Sequence, residues 1–289
     1  MSAPSTPAAP TERDGRHAGS GAPGGHGRAI RLGRRSTLLL MLTSAFGLLA
    51  FAWPLLVHAR ASADSAHGGD APWVFVVLVP LLIAIVVAEL SEGGIDAKAI
   101  ALLGILAACF AALRIASPGL DGFEPEWFLL IASARVFGRG FGFVLGAVAM
   151  FTSALITGGI GPWLPFQMLA AAWVGFGAGS LPPATGRRER FVLAGYGAVA
   201  ALAYGMLTNF WFWPFVAGST TTYSFVPGAG VAANLHRFLL FDLTTSMGFD
   251  LTRAVTCAVL ILVLGRPVLA ALRRASRRAV FEPTITFAD

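Results

Sequence analysis

Two amide–aromatic pairs stand out in stretches that otherwise hold almost nothing polar: Trp163 with Gln167, and Asn209 with Trp213. Each pair is spaced four residues apart, so on a helix its members share a face. An amide within an apolar helix is costly to leave against lipid and turns toward a cavity or a neighbouring helix. Beside an aromatic face it can hydrogen-bond the edge of a flat ring that the aromatic stacks upon. Phe166, Tyr223 and Asn234 lie near the same ends of their segments. The candidate substrate-binding set is therefore Trp163, Phe166, Gln167, Asn209, Trp213, Tyr223 and Asn234. Trp211, two residues from Asn209, is expected to point toward lipid or another helix. An interfacial aromatic belt accounts for the rings but not for the amides.

This is recognition chemistry, and the groups that would add catalysis are missing. A P-loop needs a Lys followed by Ser or Thr, and the one lysine, Lys98, precedes Ala99. If ATP drives the process, another polypeptide hydrolyses it. Neither H-E-x-x-H nor G-x-S-x-G occurs. The histidines are scattered, and His236 reads as an interfacial residue. Cys109 and Cys257 lie in separate apolar stretches without a CxxC and read as small buried hydrophobes. Asp250 and Arg253, three apart, read as a local ion pair. No catalytic, metal or cofactor set emerges, so the expectation is a non-enzyme.

The elements that position these residues follow from the solvent. The 289 residues are 56% hydrophobic and 12% charged, half of the roughly 25% charge of a soluble domain. Mean hydropathy is +0.71. Stretches 37–57, 140–157 and 163–181 hold no charge at all. Such segments need lipid around them. An all-α, multi-spanning transmembrane bundle is predicted, with spans near 37–57, 73–90, 97–115, 127–137, 140–157, 163–181, 191–213 and 249–269. The stretch 127–137 is short, and is either buried among other helices or a steep span extended at Glu126. Residues 1–36, rich in Ala, Pro, Gly, Ser and Arg, form a basic tail with little to bury.

The net charge of +6 does not imply nucleic acid, because the basic residues flank apolar spans. Arg31, Arg34, Arg35, Lys98, Arg135, Arg139, the 187–190 cluster and Arg266 to Arg278 all fall on one face of the eight-span layout. The opposite loops (58–72, 116–126, 158–162, 214–235) carry Arg60 alone, with Arg114 and Arg237 at their borders. Positive-inside bias then puts both termini in the cytoplasm. An alternative makes Arg34-Arg35, the first apolar run and Ala59-Arg60-Ala61 a cleaved signal peptide.

From about residue 97 onward the chain resembles the substrate-binding (S) components of energy-coupling factor (ECF) transporters. The resemblance rests on Ala134-Arg135-Val136-Phe137-Gly138 through Gly158-Gly159-Ile160-Gly161-Pro162-Trp163, on Tyr196-Gly197, Tyr204-Gly205 and Asn209-Phe210-Trp211-Phe212-Trp213-Pro214, and on Phe249-Asp250-Leu251-Thr252-Arg253 leading to Gly265-Arg266-Pro267. It implies a six-helix core (93–270) in a bacterial cytoplasmic membrane, with residues 37–92 as two added helices and 271–289 as a cytoplasmic tail. It also implies a vitamin or other micronutrient as substrate, and as partners a transmembrane T component and ATP-binding subunits. Gly104, Ala107, Ala108, Ala111 and Ala112 form small-xxx-small rows that admit close helix approach. The resemblance implies docking on the T component there; packing within the subunit is the alternative.

Nickel or cobalt transport is disfavoured, since such family members place a His next to Met1 and this chain has Ser2. The added helices and long outer loop favour cobalamin or another corrinoid, with a small heteroaromatic vitamin close behind. The rival reading is an unrelated secondary transporter, for which internal repeats and intramembrane carboxylates would be diagnostic. Glu89, Asp242 and Asp250 are the carboxylates at or near membrane depth.

Overall fold

Small residues at four-residue intervals let the helices of this chain approach to backbone contact. The computed structural model describes residues 34–56, 76, 77, 80, 81, 84, 97–117, 122–216 and 221–280. Nine helices lie among the described residues: α1 (Arg34–Phe51), α2 (Trp53–Leu56), α3 (Ala97–Ile115), α4 (Glu126–Phe137), α5 (Arg139–Thr157), α6 (Leu164–Ser180), α7 (Gly186–Val216), α8 (Val231–Thr245) and α9 (Met247–Val280). Among those residues there is no strand, so the all-α class stands.

Four helices, α3, α5, α7 and α9, are long and apolar enough to cross a membrane. Their outward faces carry Ile105, Leu155, Ile156, Val199, Val255, Val259 and Val263 exposed, a surface suited to lipid. In α5 67% of the span is buried against 33% for α3 and α9, so α5 is the most enclosed of these four. The expected span 73–90 lies largely outside the described residues, as do the tail before Arg34 and the signal-peptide question at 59–63.

Around α5 the packing is decided by rows read along the chain. Gly142 and Gly146 on α5 face Ala171 and Gly175 on α6. A Cβ on Gly142 would lie 2.4 Å from the Gly175 carbonyl oxygen, and one on Gly146 2.3 Å from that of Ala171. Where hydrocarbon surrounds both helices, such dispersion contact takes the place of the hydrophobic drive. A second row, Gly197, Ala201 and Gly205 on α7, receives α9; a Cβ on Gly205 would strike the Asp250 carboxylate. Gly138 (φ 98°) makes the turn between α4 and α5, a conformation open to glycine and strained for other residues.

Several expected boundaries differ. The first span breaks at Ala52, because Pro54 offers no N–H to continue the ladder. The short stretch 127–137 is a 12-residue helix with most of its side chains buried, so it sits among the others. Helix α8 begins inside the expected outer loop 214–235 and runs on through residues where no span was expected. The last helix runs on to Val280, past the expected boundary at 270, because ALRRASRR is rich in helix formers and its arginines suit a helix C-terminus.

Helices α4, α6 and α9 begin at the end of the bundle where α3, α5 and α7 finish. At the opposite end Glu189 is buried between two guanidiniums. It accepts from Arg135 Nε at 2.9 Å and from Arg273 Nη2 at 2.6 and 2.7 Å. Arg135 also donates to the Leu181 carbonyl oxygen, so one carboxylate ties α4, α7, α9 and the end of α6 together.

Candidate functional site

The start of α6 and the last turns of α7 leave a cavity of about 330 Å³ between them. Its walls are Trp163, Phe166, Gln167, Thr208, Asn209, Trp211 and Phe212. Of the seven residues expected at a site, Trp163, Phe166, Gln167 and Asn209 therefore come together here. Trp213, Tyr223 and Asn234 do not.

Trp213 is fully buried away from the cavity. Its indole N–H donates to the Tyr223 carbonyl oxygen at 2.7 Å, and its ring packs edge-on against Phe225 and Phe238. Asn234 accepts from the Val226 N–H at 3.2 Å and donates to the Val226 carbonyl oxygen at 3.0 Å. Tyr223 rests on Phe241. These three residues build the connection between α7 and α8. Trp211, expected to face lipid or another helix, meets a helix: it is 5% exposed and lies 4.6 Å from Phe166 of α6, centroid to centroid.

The helix wheel explains the exchange. At about 100° per residue, Thr208 and Phe212 mark the centre of the cavity face. Asn209 and Trp211 flank it, and Trp213 falls beyond Asn209. The four-residue rule placed Trp213 beside Asn209 correctly, but the cavity lies on Asn209's other side.

Asn209 donates from Nδ2 to Asp242 Oδ1 at 2.9 Å. With Nδ2 turned to Asp242, Oδ1 is the amide atom left for the cavity that Asn209 lines. Across the cavity, the Gln167 side chain has no hydrogen-bond partner among the described residues. The indole N–H of Trp163 donates to the Gly159 carbonyl oxygen at 3.2 Å, and the Thr208 hydroxyl to the carbonyl oxygens of Tyr204 and Gly205. Among the described residues no charged side chain lines the cavity.

The N-terminal helix braces one wall. Phe51 packs edge-on against Phe166 at 5.0 Å and tilts over Trp173 at 5.8 Å, while Trp173 donates to Ser44 Oγ at 2.9 Å. Helix α1 thus packs directly against Phe166.

Near the cavity, the Asp250–Arg253 pair is part of a larger cluster. Arg253 also grips Glu124 through Nε (2.8 Å) and Nη2 (2.9 Å), and Trp127 donates to Glu124 Oε2 at 2.6 Å. The loop residue Glu124 binds α9 to the start of α4. Burial alone would raise its pKa, but the Arg253 guanidinium and the Trp127 N–H outweigh that and hold its carboxyl below the ordinary 4.5. Glu126 is buried next door, with Oε1 4.0 Å from Arg114 and Oε2 unpaired. The Glu124 contact was not legible, because 129 residues separate it from Arg253.

On α3 the small residues divide between two faces. Ala107 and Ala111 are buried against the bundle, whereas Gly104, Ala108 and Ala112 are exposed. Cys109 is exposed with them, not buried as expected, because it falls on that outer face; Cys257 is buried.

No family model, curated protein or solved structure matches this chain.

Proposed function

We propose that the chain is the substrate-capturing subunit of an ECF-type micronutrient importer, a membrane protein that binds a small flat molecule in the α6–α7 cavity. The observation that carries this reading is the cavity itself: aromatic faces plus the free Gln167 amide and the free Asn209 Oδ1. Stacking planes with a few placed polar atoms are what a heteroaromatic ring requires. At about 330 Å³ the space is at the small end of the range for small-molecule sites, roughly 300–1,000 Å³. That favours a small heteroaromatic vitamin over the corrinoid.

The arginine-rich end, with Arg135, Arg139, Arg187, Arg188, Arg273 and Arg274, suits the cytoplasm by positive-inside bias. The cavity at the other end then opens toward the outside of a bacterial cytoplasmic membrane, with both chain ends inside. Delivery depends on a T component and separate ATPases, since the chain has no nucleotide-binding motif. The exposed row Gly104, Ala108, Ala112 is the face offered to the T component.

A secondary transporter is the second reading, favoured by the buried, unpaired Glu126 carboxylate oxygen, a group of the kind that couples protons to transport. Uptake by cells expressing the chain with and without its partner subunits separates the two. Uptake that requires the ATPases supports the importer; uptake by the chain alone, abolished by dissipating the proton gradient, replaces it with the second reading.

A further inference from the structure

We infer that the ligand of the α6–α7 cavity is a flat organic cation bearing N–H donors, with Asp242 supplying its countercharge through Asn209. The inference rests on the cavity reading above and adds the chemical class of the substrate.

Asp242, on α8, is 5% exposed. Among the described residues no cation pairs with it, and its one side-chain partner is the Asn209 amide. A carboxylate withdrawn from water without a countercharge is strongly disfavoured. The nearby guanidinium of Arg253 is engaged by Glu124 and Asp250. Arg237 stands five residues before Asp242 on the same helix, which turns it about 140° away. The place left for a compensating charge is the cavity, one amide beyond Asp242.

The lining agrees. Asn209 is held so that its acceptor oxygen meets the ligand, which must then donate. Trp163, Phe166, Trp211 and Phe212 line it with aromatic rings, whose quadrupoles attract cations. Among the described residues that line the cavity there is no lysine, arginine or histidine, so an anionic ligand would find no partner there and would lie near a buried carboxyl group.

Benzamidinium, benzamide and benzoate test this, because they share one flat shape and differ in charge. Binding to the purified full-length chain is read by quenching of tryptophan fluorescence. Benzamidinium is expected to bind about tenfold tighter than benzamide, with benzoate weakest. Asp242→Asn should bring benzamidinium and benzamide to within about threefold of each other. Benzamide or benzoate binding as tightly as benzamidinium to the unaltered protein overturns the inference, and so does failure of all three to bind. A cation preference that survives Asp242→Asn overturns it as well. The ranking in the unaltered protein stands even if that variant misfolds. Benzoate binding that is lost in Asn209→Ala would remove the charge assignment and leave the cavity reading intact. Benzamidinium binding untouched by Asn209→Ala and Gln167→Ala would remove both.

Discussion

Replacing Gly142 by alanine adds one methyl group where α5 meets α6. The new Cβ would lie 2.4 Å from the Gly175 carbonyl oxygen and 2.8 Å from its carbon, against an ordinary contact of 3.4–4 Å. The obstacle is backbone, which cannot swing aside as a long side chain can. The helices must separate by about 1 Å, loosening the dispersion contacts along the whole crossing. Overpacking of this kind costs about 1–3 kcal/mol, which for a domain of this size lowers Tm by roughly 2–12 °C. Gly104→Ala and Gly195→Ala are the controls, since a Cβ at either meets nothing within 4 Å. Those two should be neutral or stabilise by about 0.5–1 kcal/mol, the helix preference for alanine over glycine. Thermal unfolding of each purified variant in one detergent reads the difference. Gly142→Ala combined with Gly175→Ala should cost less than the sum of the two, because the first substitution has already moved the helices apart. A Gly142→Ala protein as stable as the controls would refute the backbone-contact argument.

The buried carboxylate at the arginine-rich end gives a second expectation: Glu189→Gln should destabilise by about 3 kcal/mol, because Arg135 is left buried without a countercharge; denaturant or thermal unfolding checks it. Glu124 gives a pH dependence. Its carboxyl is depressed in the folded state, so its stabilisation is present above the ordinary 4.5 and is lost as the pH falls from there through the folded value. Tm measured between pH 7 and pH 3 should drop in that window, and Glu124→Gln should flatten the drop. At the cavity, Asn209→Ala and Gln167→Ala should each weaken ligand binding by about 1–3 kcal/mol, roughly 5- to 150-fold. Trp211→Ala should impair binding, whereas Trp213→Ala should chiefly lower Tm, because Trp211 lines the cavity and Trp213 is buried away from it; calorimetry with the co-purified ligand separates these effects. Reporter fusions at residues 1 and 289 should both read cytoplasmic.

The long apolar helices were legible because lipid as solvent writes its demand directly into composition: α3 and α5 fall within a residue of their expected bounds. Helix α8 was not, since Asn234, His236, Arg237 and Asp242 interrupt its hydropathy. Its buried positions 234, 238, 241 and 242 nonetheless follow the i, i+4, i+7, i+8 rhythm of an amphipathic helix. The α5–α6 crossing was also written in the sequence, as Gly138, Gly142 and Gly146 against Ala171, Gly175 and Gly179. The ion clusters could not be read, because Glu124 and Arg253, or Glu189 and Arg273, meet only after the whole bundle has closed. At the cavity the amides were legible as misplaced polarity, while the side of Asn209 that is open depended on where α6 lies.

The central claim is that the α6–α7 cavity holds a small molecule, and mass spectrometry of what the purified protein releases on denaturation tests it most directly. One small heteroaromatic compound is expected in near-equal amount to the protein, absent from Asn209→Ala and Trp211→Ala proteins that still unfold cooperatively. Cooperatively folded protein that releases nothing after expression in rich medium, or a ligand retained equally by both variants, would contradict it.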